Sequence, residues 1–132
     1  MTTTARDLIT MSLRSIGVLH SGETPSAEEA NDGLDTLNQM LNSWLYEGID
    51  LEFTTITDLN SEIAYPDDHI GPFRWNLALR LSADYGIAVT PAVAALAKEG
   101  YDQLRREYLD NRELSVDNAL SALYSPNQGR YI

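Results

Sequence analysis

The chain has 132 residues, 43% of them hydrophobic and 22% charged, a length and composition that fit one folded domain with a real core. Twenty acidic against nine basic residues give a net charge of −11, which disfavours non-specific binding to nucleic acid or an anionic membrane. Cysteine is absent, excluding disulfides, thiolate metal sites and cysteine nucleophiles, and no apolar run approaches the length of a membrane span.

The first predicted element is a helix over about 4–16. Thr4 and Asp7 make a capping box, and Ala5, Leu8, Ile9, Leu13 and Ile16 fall on one face. Gly17 supplies its stop, and a loop with Ser21-Gly22 as its turn follows. Before this helix the N-terminus is polar and lacks the basic-then-apolar pattern of a signal peptide, so synthesis in a cytoplasm is expected.

A second helix starts after Pro25 at the capping box of Ser26 and Glu29 and ends at Gly48. Ala30, Leu34, Leu37, Leu41, Trp44 and Leu45 form a one-sided stripe with Met40 beside it, while Asp32, Asp35, Asn38, Gln39 and Asn42 lie off it.

From Ile49 the period changes. Phe53-Thr54-Thr55-Ile56-Thr57 is rich in strand formers, and Ile63-Ala64-Tyr65 reads as a return strand after a turn over 58–61. The segment over about 49–65 is therefore expected to be a short β-hairpin. A lone hairpin is marginal, so it must pack on the helices or pair with another chain. Leu51, Phe53 and Ile56 are its candidate inter-subunit residues.

A third helix is predicted to start between Asp68 and Pro72 and to end at Gly86. Ile70, Phe73, Leu77, Leu81 and Tyr85 make its stripe, broadened by Trp75, Ala78 and Leu79, as in a central helix. Thr90-Pro91 opens a fourth helix whose inner side is Val93, Leu96, Ala97, Gly100, Tyr101, Leu104 and Tyr108. Lys98 with Asp102, and Asp102 with Arg106, are placed to pair on its outer side, and the helix is expected to fray near Asn111.

Residues 113–132 do not fit the bundle. A short amphipathic helix over 115–124, a turn-rich stretch Ser125-Pro126-Asn127-Gln128-Gly129 and the ending Arg130-Tyr131-Ile132 are consistent either with a docking peptide or with a disordered end. The expected class is thus mainly α: a four-helix bundle over 1–112 with one short β-hairpin, and an extended C-terminal tail over 113–132.

Candidate chemistry is sparse. His69 follows Asp67-Asp68, which suggests either a metal site or a loop whose Asp caps the third helix; one histidine with two adjacent carboxylates lacks the spaced ligands of a closed site. There is no nucleophile elbow, phosphate loop or dinucleotide fingerprint. Glu28 and Glu29 are explained by capping and the helix dipole. No catalytic, metal or cofactor-binding residue is expected, and no enzyme activity. The late basic residues Arg80, Lys98, Arg105, Arg106 and Arg112 suit either a DNA channel or a solvated face.

Several blocks together carry a resemblance: Thr4-Ala5-Arg6-Asp7-Leu8-Ile9 with Leu13 and Ile16-Gly17-Val18; Pro25-Ser26-Ala27-Glu28-Glu29-Ala30 continuing to Ser43-Trp44-Leu45 and Gly48-Ile49; and Asn76-Leu77-Ala78-Leu79-Arg80-Leu81 with Asp84-Tyr85-Gly86 and Pro91. Over about residues 4–110, their order and spacing resemble the tail accessory, or packaged-DNA stabilisation, proteins of short-tailed bacteriophages. The resemblance implies a virion head-to-tail adaptor, a structural protein without cofactor. It implies a homo-oligomeric ring of twelve copies beneath the portal, which extends the DNA channel, retains packaged DNA and meets tail or nozzle proteins, with no membrane partner. It also implies that the C-terminal segment runs along the portal protein, making Leu120, Leu123, Tyr124, Arg130, Tyr131 and Ile132 the docking residues. The reading outside that family is a cytoplasmic helical protein–protein interaction module unrelated to virions.

Overall fold

The computed structural model describes residues 2–123, with side chains described through residue 109. Four helices form the body: α1 (Ala5–Ser15), α2 (Ala27–Tyr46), α3 (Ile70–Tyr85) and α4 (Pro91–Leu123), with a 3₁₀ turn, Asp67–His69, leading into α3.

Local signals set most of the helix ends. Thr4 and Asp7 exchange side-chain-to-backbone hydrogen bonds of 3.1 Å each, and Ser26 with Glu29 does the same before α2. Thr90 Oγ1 accepts from the Val93 N–H, with Pro91 in the first position of α4. Gly17, Gly48 and Gly86 take positive φ just past the ends of α1, α2 and α3, where other residues would be strained.

α3 is the central helix and packs against α1, α2 and α4. Leu8, Ile9 and Leu13 of α1, Leu37, Met40, Leu41 and Trp44 of α2, Phe73, Leu77 and Leu81 of α3, and Leu104 of α4 share one core. Each large side chain buried there contributes roughly 1.5–3 kcal/mol before the entropic cost of ordering it. Two glycines set the closest approaches. A Cβ on Gly33 would lie 2.5 Å from Ile9 Cγ2, and one on Gly100 would lie 2.7 Å from the Pro72 Cα, so α2 meets α1 and α4 meets α3 at bare backbone.

Some residues depart from the expected stripes. Leu45 is 42% exposed and Leu96 is 39% exposed, each one position beside its helix's buried row. Asp102 pairs with Lys98 at 2.8 Å and not with Arg106. α4 does not fray near Asn111 but continues as helix to Leu123, 33 residues or about 50 Å.

The expected β-hairpin does not form: among the described residues there is no β-strand, only an isolated antiparallel bridge between Thr4 and Glu62. Three contacts explain why a strand-rich sequence stays unzipped. Glu52 sits at φ 54°, which breaks the extended path, and its N–H is taken by Asp50 Oδ1 at 3.0 Å. Ile56 is held by the Asn38 side chain instead of a partner strand. The return arm is captured by the start of the chain, with the Ile63 N–H donating to the Thr3 carbonyl at 2.8 Å and the Ala5 N–H donating to the Ser61 carbonyl at 2.9 Å. The segment is thus two separate arms, each tied to the helices.

Candidate functional site

The 49–65 segment is the main non-helical surface feature. Its apolar side turns inward. Ile49, Leu51 and Ile63 are buried, and Phe53, Ile56, Leu59 and Tyr65 are half-buried against the helical core. The candidate inter-subunit residues Leu51, Phe53 and Ile56 are therefore brought together, but against their own subunit's core. The outward side carries hydroxyls and carboxylates: Thr54, Thr55, Thr57, Asp50, Glu52, Asp58 and Glu62 are exposed. Between the arms lies a groove of about 380 Å³.

His69 is a buried imidazole, 1% exposed. Nδ1 lies 2.8 Å from Asp68 Oδ1 and Nε2 lies 2.7 Å from the Tyr108 hydroxyl. The ring stacks parallel to Tyr65 at 6.3 Å between centroids and meets Phe73 and Tyr108 edge-on. Both nitrogens are thus occupied inside the core, and Asp68 spends its carboxylate on the imidazole, not on capping α3, which has no side-chain cap. His69 is a cross-tie between the α3 entry and α4, not a ligand open to solvent. Neither Asn38 nor the His69–Tyr108 pair follows from periodicity, because their partners lie 18 and 39 residues away. The Asp50-x-Glu52 turn did carry a local signal, an Asx turn.

The aromatic cluster continues from Phe73 to Trp44 at 5.9 Å, and from Trp44 to Tyr101 at 5.8 Å. The Tyr101 hydroxyl donates to Glu47, just past the end of α2. Burial, aided by that carboxylate, pushes the Tyr101 phenol up to about 12. Burial likewise raises Tyr85, reinforced by Glu29, Asp32, Asp84 and Glu28 around it, and raises Tyr65 and Tyr108.

Of the candidate docking residues, Leu120 and Leu123 belong to the last turns of α4, while Tyr124, Arg130, Tyr131 and Ile132 lie outside the described residues. Among the described residues no group of three or more His, Asp or Glu side chains is placed to hold a metal ion, and no helix is long and apolar enough to cross a membrane.

These features define a helical structural module whose polar groups are spent on tying its own elements together and on its surface. The family model described as P22 tail accessory factor matches residues 1–117, and the chain belongs to that family. It is accordingly a non-catalytic protein of the phage tail machinery, as the resemblance in its helices implied. No curated protein matches the chain.

Proposed function

We propose that the chain is a head-to-tail adaptor whose copies form a ring between portal and tail, of the dodecameric kind that the sequence resemblance implies, extending the DNA channel and retaining the packaged genome in the virion. The observation that carries this reading is the family match across the bundle and into α4. The mechanism is geometric. A ring of this kind closes when one flank of each copy meets the different, opposite flank of the next. A net charge of −11 suits a channel lining that repels DNA and lets it slide.

In this reading residues 113–132 form the portal-docking part, with Leu120, Leu123, Tyr124, Arg130, Tyr131 and Ile132 as its contacts. Its support is that α4 carries residues up to Leu123 on the same helix as the core residue Leu104. Purified chain mixed with portal rings and imaged by electron microscopy tests both parts. A ring of copies stacked on the portal is expected, and loss of that complex on deleting 113–132. Absence of any complex would overturn the adaptor reading; normal portal binding by the truncated chain would overturn the docking role.

A further inference from the structure

The outgoing arm of the 49–65 segment leaves backbone open between two tied residues, Glu52 and Ile56. The N–H and C=O groups of Phe53, Thr54 and Thr55 have no hydrogen-bond partner among the described residues, while both flanks are tied. Glu52 is bound to Asp50, and Ile56 is bound through both of its backbone groups to Asn38. The return arm across the groove is already partnered at Ser61 and Ile63, by Ala5 and Thr3. The open stretch is built of strand formers, is pinned at each end, and borders a groove of about 380 Å³. Much of the ordering cost of strand addition has thus been met before any partner arrives.

We propose that this groove takes an extended strand from another protein by β-strand addition. The incoming strand hydrogen-bonds to the alternate residues Phe53 and Thr55, because Thr54 shares the side on which Ile56 is turned to Asn38. The inference rests on the adaptor reading and names a second contact of that assembly, apart from the portal tail.

Charge selects the occupant. Asp50, Glu52, Asp58 and Glu62 rim the arms, all exposed, and none has a cation within ion-pair distance among the described residues. The incoming strand therefore carries lysine or arginine. A second copy of this chain is a poor source. Of its nine basic residues, Arg6, Arg14, Arg74, Arg80, Lys98, Arg105, Arg106 and Arg112 all lie in helices, which leaves Arg130 alone. The occupant is a different polypeptide with a basic extended segment.

Hydrogen–deuterium exchange of the free chain, of its isolated homo-oligomer and of intact virions tests this. In the free chain the amides of Phe53 and Thr55 should exchange fast, and in virions about a hundredfold more slowly, while Ile56 is protected in both. Thr55→Pro, which deletes an N–H on the open side, should lower incorporation into particles about tenfold at unchanged melting temperature, whereas Thr55→Ala, which keeps it, should not. Glu52→Gln with Glu62→Gln should weaken the same contact. Fast exchange at Phe53 and Thr55 in virions that contain the chain would overturn the inference alone. Protection already complete in the homo-oligomer would overturn the assigned occupant. A chain absent from virions would overturn the adaptor reading and this inference with it. Should Thr55→Pro fail to fold, the exchange measurement on the unaltered chain still decides.

Discussion

Asn38 and Ile56 are joined twice: the Asn38 Nδ2 donates to the Ile56 carbonyl and the Ile56 N–H donates to Asn38 Oδ1, each at 2.9 Å. A helix side chain thereby does the work of a neighbouring strand. It satisfies a half-buried backbone unit that a hairpin would otherwise have paired.

Asn38→Ala should therefore cost about 1–3 kcal/mol, since it leaves a backbone donor and acceptor without partners. Urea unfolding measures the loss, and amide exchange locates it: Ile56 should become fast-exchanging while the core of α3 stays slow. A variant as stable as the parent would show that water replaces the amide at no cost.

Gly100→Ala should destabilise the bundle by about 1–3 kcal/mol through overpacking, although alanine favours helix more than glycine does. The obstruction is the Pro72 backbone, which cannot rotate away. Gly33→Ala meets only the Ile9 side chain, so a rotamer change can relieve part of the clash and the loss should be smaller. Thermal melts of the two variants check the order.

Leu37→Asp should unfold the chain, because Leu37 is fully buried between α2 and the rest of the core. A carboxylate there has no partner to offset its desolvation. Loss of the cooperative melt, read by circular dichroism, is the expected outcome, and an unchanged melting temperature would show that this stripe is not core.

The helices were legible because their signals are local. The capping residues Thr4, Ser26 and Thr90 and the stops Gly17, Gly48 and Gly86 all act within a few positions of the ends they define. The arms were legible only as extended backbone. Phe53-Thr54-Thr55-Ile56-Thr57 states a preference for strand, but not whether the partner is a strand, the Asn38 amide or the N-terminal residues. Those choices are made by tertiary packing, which leaves no period in the sequence. His69 shows the same limit: next to Asp67 and Asp68 it reads as a ligand or a cap, and Tyr108, the residue that explains it, comes from α4.

Tyr108→Phe tests that cross-tie. Removing the hydroxyl leaves the buried His69 Nε2 with Glu107 at 3.5 Å as its nearest remaining partner, so a loss of about 1–2 kcal/mol is expected. His69→Phe with Tyr108→Phe removes both polar ends together. The double variant should lose less than the sum of the singles, and a double-mutant cycle in urea measures the difference. Strict additivity would show that the 2.7 Å contact does not couple the two side chains.

Alkaline pH should weaken the bundle through its tyrosines. Tyr101 is raised from 10.0 to about 12 by burial and by its hydrogen bond to Glu47, so the folded state favours the neutral phenol. That preference is fully present below pH 10 and is lost as pH rises toward 12, because the unfolded chain releases the proton first. Tyr65, Tyr85 and Tyr108 shift the same way and add to the slope. Urea midpoints taken across this range should fall with pH, and Tyr101→Phe should flatten the fall while losing little stability at neutral pH. The near-ultraviolet absorbance of the folded chain should show a phenolate titrating above the others, and that late step should vanish in Tyr101→Phe. A pH profile unaltered by the substitution would mean that the Trp44 edge and the Glu47 carboxylate do not hold this phenol neutral.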